Sequence, residues 1–165
     1  MHEEKYGKPI RTGWYFQQFL KLGFALSEYA KEYYLTWDAD TIPLRHIDMF
    51  DAEGKPYFAM KTEYHKPYFD TMKRLLGINK IVPFSFIAEH MMFKVSLVKE
   101  LISIIDNTQI EDSTWFEKVI NATDFEAAKC SEMFSEFETY GTYCMNCYPD
   151  AYSYHKLNTL TVVVG

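Results

Sequence analysis

Apolar side chains recur near helical spacing from Gly13 to Tyr29, at Trp14, Phe16, Phe19, Leu20, Leu22, Leu26 and Tyr29. Good helix formers fill the positions between them, so this stretch predicts a helix. The pattern then changes. Tyr33-Tyr34-Leu35-Thr36-Trp37 is a short, uncharged, aromatic-rich run, which predicts a buried strand ending at Asp38-Ala39-Asp40. Pro43 has no N–H to give a ladder and stops it from running further. Two short apolar runs flank Asp51-Ala52-Glu53-Gly54-Lys55, predicting a hairpin from Met49 to Met60. His65 to Leu76 reads as a helix, with Pro67 in its first turn and Gly77 as its terminator. Ile81-Val82 and Phe84 to Ile87 read as a strand interrupted by Pro83. Lys94 to Ile105 is amphipathic, with Val95, Leu97, Val98, Leu101, Ile102 and Ile105 inward. Thr114 to Ile120 is a further helix with Ser113 as its expected N-cap. Phe134 to Tyr143 fits either a helix or irregular chain, Tyr148 to Tyr154 a loop, and Thr159 to Val163 a strand. Helices alternating with short strands predict an α/β layered domain.

Composition narrows this picture. A chain of 165 residues, 48% apolar and 24% charged, is expected to fold as a single domain over residues 1–165. Lys plus Arg is 17 and Asp plus Glu is 23, so the net charge is 17 − 23 = −6. That sign argues against a nucleic-acid partner, whose phosphates need clustered positive charge. No apolar run reaches the roughly 18 residues that cross a membrane as a helix. The opening MHEEKYGKPIRTG has no apolar core of the kind a secretory signal carries, and three cysteines do not make a disulfide framework. A cytoplasmic location is expected, with the inner membrane face as a variant of it. Cys144-Met145-Asn146-Cys147 is a CxxC without a second pair, which argues against a zinc site.

The chemistry concentrates at Asp38-Ala39-Asp40. Two carboxylates two residues apart, just past a strand, can converge on one hard divalent cation, and Mg²⁺ and Mn²⁺ prefer such oxygen donors. Ligands of α/β sheets also bind beyond the carboxyl ends of strands. Gln17 and Lys21 lie four apart, on one face of the first predicted helix, where Lys21 can meet a phosphate. Glu136 and Glu138 are again two apart. An extended chain would put both on one face, whereas a helix would turn them about 200° apart. His90 fits a core histidine as well as a ligand contact.

Tyr34 to Thr41 resembles the DxD segment of nucleotide-sugar-dependent glycosyltransferases of the GT-A type. Gly13-Trp14-Tyr15-Phe16-Gln17-Gln18-Phe19-Leu20-Lys21 is similar to the G-W-x-x-Q-Q-x-x-K helix that precedes DxD in a bacterial group of these enzymes. Ser85 to Phe93 resembles that group's acceptor-side segment, and Ser135 to Tyr143 its S-E-x-E-x-Y-G-x-Y motif. The segments occur in the group's order.

The resemblance implies a partial GT-A fold, a mixed sheet flanked by helices, and transfer of a sugar from a nucleotide sugar to a glycan acceptor. It implies that Asp38 and Asp40 hold Mn²⁺ or Mg²⁺ against the donor diphosphate, with His155 as a third metal ligand. Gln17 and Lys21 would face the nucleotide sugar. Glu136 or Glu138 would bind the acceptor hydroxyl or take its proton, with Glu138 preferred. Glu89, His90 and Trp37 would touch the acceptor. GT-A enzymes carry two or three βα units before DxD, and here only one helix and one strand reach it. The chain therefore resembles the C-terminal two-thirds of such a domain, with weak or absent donor binding expected. A sheet cut short has a free edge, which predicts a homodimer. The competing expectations are a non-catalytic module of the same fold and, less favoured, a phosphohydrolase using Asp38 as nucleophile.

Overall fold

The computed structural model describes residues 12–128 and 132–157. In chain order these form α1 (Thr12–Gly23), a 3-10 turn (Phe24–Leu26), β1 (Tyr33–Trp37), β2 (Tyr57–Ala59), α2 (Lys66–Leu76), β3 (His90–Lys94), α3 (Val95–Asp106), α4 (Trp115–Asn121), α5 (Phe125–Ala128), α6 (Glu136–Cys147) and β4 (Ser153–His155). The class is mixed α/β. Its strands form two small sheets, where one mixed sheet was expected. β1 runs antiparallel to β3, with Tyr33 opposite Lys94 and Trp37 opposite His90. β2 runs parallel to β4, with Phe58 opposite Tyr154. No helix among the described residues is long and apolar enough to cross a membrane.

Each element has a local cause. His65 precedes α2 with extended backbone, Pro67 occupies its first turn, and Gly77 ends it at φ 70°, the left-handed conformation that glycine adopts without strain. α3 buries the six side chains that its amphipathic spacing points inward. At the expected hairpin, Asp51 Oδ1 accepts hydrogen bonds from the N–H groups of Glu53 at 2.9 Å and Lys55 at 2.8 Å, and Gly54 takes φ 80°. The two arms meet only at an isolated bridge, Phe50–Pro56, with the Tyr57 N–H donating to the Met49 carbonyl at 3.0 Å, and β2 also pairs with β4.

Several expectations shift. The first helix stops at Gly23, and a 3-10 turn replaces its last part. β1 is half-buried rather than buried: Leu35 is 42% exposed and its other residues are only partly covered. Phe84 to Ile87 is no strand; Ser85 alone bridges Lys61. β3 lies just after it, and its last residue caps α3. Thr114, not Ser113, is the N-cap of α4, and both hydroxyls turn to the Glu117 carboxylate. The end of the expected loop at Tyr148 to Tyr154 pairs as β4. Thr159 to Val163 lies outside the described residues.

The core joins α3, β3 and α6. Phe58 and Tyr152 stack with ring centroids 3.7 Å apart. The hydroxyls of Tyr140 and Tyr152 meet at 2.6 Å, and both accept from the N–H of Lys94 at the end of β3. Gly141 of α6 lies against the Phe86 ring, so closely that a Cβ there would sit 2.2 Å from Phe86 Cγ. This close approach explains the glycine of the S-E-x-E-x-Y-G-x-Y motif and ties that motif to the segment before β3.

Candidate functional site

One face of α1 borders a cleft of about 530 Å³, closed by the end of β1, the segment before β3 and the start of α6. Trp14, Gln17, Gln18 and Lys21 fall at positions i, i+3, i+4 and i+7, so they share that face and line the cleft together. Asp38 and Asp40 enter from the loop after β1. The Asp38 N–H donates to the Glu89 carbonyl at 2.8 Å, adding one bond beyond the β1–β3 pairing and fixing where the acidic loop begins. Ser135, Glu136 and Phe137 enter from the first turn of α6.

Lys21 joins these groups. Its Nζ donates to Asp38 Oδ1 at 2.9 Å and to Glu136 Oε1 at 2.8 Å, and it lies 4.2 Å from the centre of the Phe137 ring. Burial works against the charged ammonium, but Glu136 and Asp38 outweigh it and hold Lys21 above the usual lysine value. Burial pushes the Glu136 carboxyl up from its ordinary range, and Lys21 pulls the other way. Gln18 fixes the geometry by accepting from the Glu136 N–H at 2.9 Å through its Oε1. Ser135 caps α6 by accepting from the Glu138 N–H at 3.2 Å.

The structure thus brings together Gln17, Lys21, Asp38, Asp40 and Glu136. It sets the remaining expected residues elsewhere. Glu138 is fully buried on another side of α6, because the segment is helical and positions two apart diverge. Its carboxylate pairs with Lys80 and accepts from Ser85 Oγ at 3.0 Å and the Phe86 N–H at 3.1 Å. The preference for Glu138 therefore passes to Glu136. The Trp37 indole N–H donates to the Thr41 carbonyl at 2.8 Å, which braces the acidic loop, and its ring stacks on His90 at 4.8 Å. Glu89 pairs with Lys61 at 3.0 Å. His155 stacks on Tyr57 at 4.6 Å, beside His90 at 6.4 Å. Burial holds both histidines below the usual imidazole value, and for His90 the neighbouring His155 adds to it. None of Trp37, Glu89, His90 and His155 is among the residues lining the cleft. Among the described residues no group of three or more His, Cys, Asp or Glu side chains is placed to hold a metal. Cys144 is buried and Cys147 exposed, so the CxxC does not present its thiols together.

Trp14, Gln18, Glu63 and Ser135 line the cleft without having been singled out as site residues. Two signals were present for three of them, and none for Glu63. The helical spacing that joins Gln17 to Lys21 also includes Trp14 and Gln18. Ser135-Glu136-Phe137-Glu138 has the S-x-x-E spacing that marks a helix start.

The match between chain and family covers most of this framework: the profile described as "Family of unknown function (DUF6492)" matches residues 2–159. The chain belongs to DUF6492. Every cleft-lining segment of this DUF6492 member falls inside the matched residues. No curated protein and no solved structure matches the chain.

Proposed function

We propose that the cleft is the active site of a metal-dependent glycosyltransferase that moves a sugar from a nucleotide sugar to a glycan acceptor. The observation that carries this reading is the meeting of Lys21, Asp38, Asp40 and Glu136 in one cleft from widely separated parts of the chain. Acidic oxygen donors, a fixed cation and a carboxylate in a 530 Å³ space are what transfer from a diphosphate donor to a hydroxyl requires.

The residues fit a hard divalent ion. Asp38 and Asp40 offer carboxylate oxygens at the cleft wall, and Mg²⁺ is commonly held by one or two carboxylates with phosphates and waters completing its shell. Bound there, Mn²⁺ or Mg²⁺ would supply Lewis-acid stabilisation of the departing diphosphate. Lys21 adds a fixed positive charge beside the Asp38 carboxylate. Glu136, inward-facing and raised by burial, is placed to accept the proton of an acceptor hydroxyl, while Gln18 fixes its backbone.

A second reading, a non-catalytic module of the same fold, draws on the ion pairs of Lys21, which satisfy Asp38 and Glu136 without a metal. Titrating the chain with Mn²⁺ and a panel of nucleoside diphosphate sugars, followed by product analysis, separates the two. The enzyme reading expects Mn²⁺-dependent sugar transfer that Asp38→Asn and Glu136→Gln each lower by at least tenfold. Metal binding without transfer supports the module. Release of inorganic phosphate supports a hydrolase. A homodimer also stays within this proposal. Among the described residues β1 pairs only with β3, so light scattering should show dimers that Leu35→Lys weakens.

A further inference from the structure

We infer that the Trp14 end of the cleft is a carbohydrate subsite that takes neutral or amino sugars and turns away acidic ones. This rests on the glycosyl-transfer reading of the cleft and names the acceptor class it would use.

On the cleft-lining face of α1, Gln18 and Lys21 are committed to Glu136 and Asp38. Trp14 and Gln17 are not: among the described residues neither side chain makes a hydrogen bond, and both line the cleft. Trp14 is held as a rigid platform. Its ring meets Tyr15 edge-on at 5.0 Å and 87°, and lies nearly parallel to Tyr68 at 6.3 Å and 21°. Tyr68 is itself backed by the His65 ring at 4.4 Å. A large, half-exposed aromatic face that keeps its orientation is the surface on which the C–H face of a pyranose packs, and its N–H can reach a hydroxyl. Gln17, one turn further on, offers a carboxamide that both donates and accepts, and Glu63, on the segment leading into α2, offers a carboxylate that accepts from hydroxyls.

Position and charge select the class. From Trp14 to Lys21 the axis of α1 rises about 10 Å, at 1.5 Å per residue. That is room for one or two sugar rings between the platform and the acids. The lining carries Asp38, Asp40, Glu63 and Glu136 against the single cation Lys21. Even a divalent ion at Asp38 and Asp40 leaves the cleft negative. A uronic acid would meet this field with a like charge, whereas a neutral hexose would not and an amino sugar would gain from it.

The test uses the full chain and three probes: a β-linked N-acetylglucosamine trisaccharide, its de-acetylated form and a galacturonic acid trisaccharide. Tryptophan fluorescence and saturation-transfer NMR read binding, and Mn²⁺ binding is followed on the same samples by electron paramagnetic resonance. The neutral and amino trisaccharides should quench the emission, and Trp14→Ala should weaken them at least tenfold. Trp14→Phe should retain part of the binding, which separates a lost platform from a lost fold. The acidic trisaccharide should bind only once the exposed Glu63 is reversed in Glu63→Lys. Quenching that survives Trp14→Ala overturns the subsite. So does equal binding of the acidic probe, preferential binding of uridine at Trp14, or no saccharide binding at all. Mn²⁺ bound at Asp38 and Asp40 with no saccharide at Trp14 would sink the subsite alone. Saccharide at Trp14 with neither metal nor transfer would sink the transferase reading and leave the sugar site standing.

Discussion

Replacing Lys21 by Met leaves Asp38 and the inward-facing Glu136 without their shared cation. With little water to screen them, loss of one partner from a buried pair destabilises by about 3 kcal/mol. Urea unfolding at pH 7 should show that loss for Lys21→Met. The sign of its pH dependence follows from Glu136, whose carboxyl is raised above its unfolded value of 4.5. A raised acid stabilises the protonated folded chain and disfavours the ionised one, so the deficit should shrink as pH falls toward 4.5. His90 works in the other direction. It is held below 6.5 by burial and by His155, with Lys61 adding slightly and with Glu89 and Asp38 opposing. The unfolded chain therefore takes up a proton that the folded one resists. Stability should rise as pH climbs toward 6.5, and His90→Phe, which keeps a ring against Trp37, should flatten that slope.

At the scale of one helix, α6 sets one close contact. An Ala inside a helix gains about 1 kcal/mol over Gly. At Gly141 that gain is outweighed, because the new methyl would sit 2.2 Å from the Phe86 ring, and overpacking of this kind destabilises by about 1–3 kcal/mol. Gly141→Ala should lower the thermal midpoint, and adding Phe86→Leu should return part of it, a coupling that a double-mutant cycle measures. The same helix shows what the sequence could reveal. α3 keeps one solvent face, so its period was readable and its six inward residues were all correct. α6 is buried at every position from Glu136 to Cys144, and a helix without a wet side carries no amphipathic period. That gap hid which glutamate faces the cleft, since the choice between Glu136 and Glu138 depends on knowing the segment is helical. β3 went unread because His90-Met91-Met92-Phe93-Lys94 has no β-branched residue and runs straight into α3. Asp38 and Asp40 were legible because β1 is short, aromatic and ends abruptly at them.

For the molecule as a whole, the metal reading makes a thermodynamic demand. An ion that binds only the folded chain raises its stability by mass action, about 2.7 kcal/mol at a hundred times its dissociation constant. Millimolar Mn²⁺ should therefore raise the thermal midpoint of the wild type, and the rise should vanish in the Asp38→Asn, Asp40→Asn double variant. The bonds from Tyr15 to Met133 and from Gln18 to Glu136 each span 118 residues. A growing polypeptide emerging from the ribosome therefore exposes Lys21 and Asp38 long before Glu136 is made. Until then α1 has its contacts with Trp115, Phe116 and Phe125 but lacks those with Met133, Phe134 and Glu136. Assembly must wait for that segment, so translation arrested before Ser135 should yield insoluble product rather than a partly working protein.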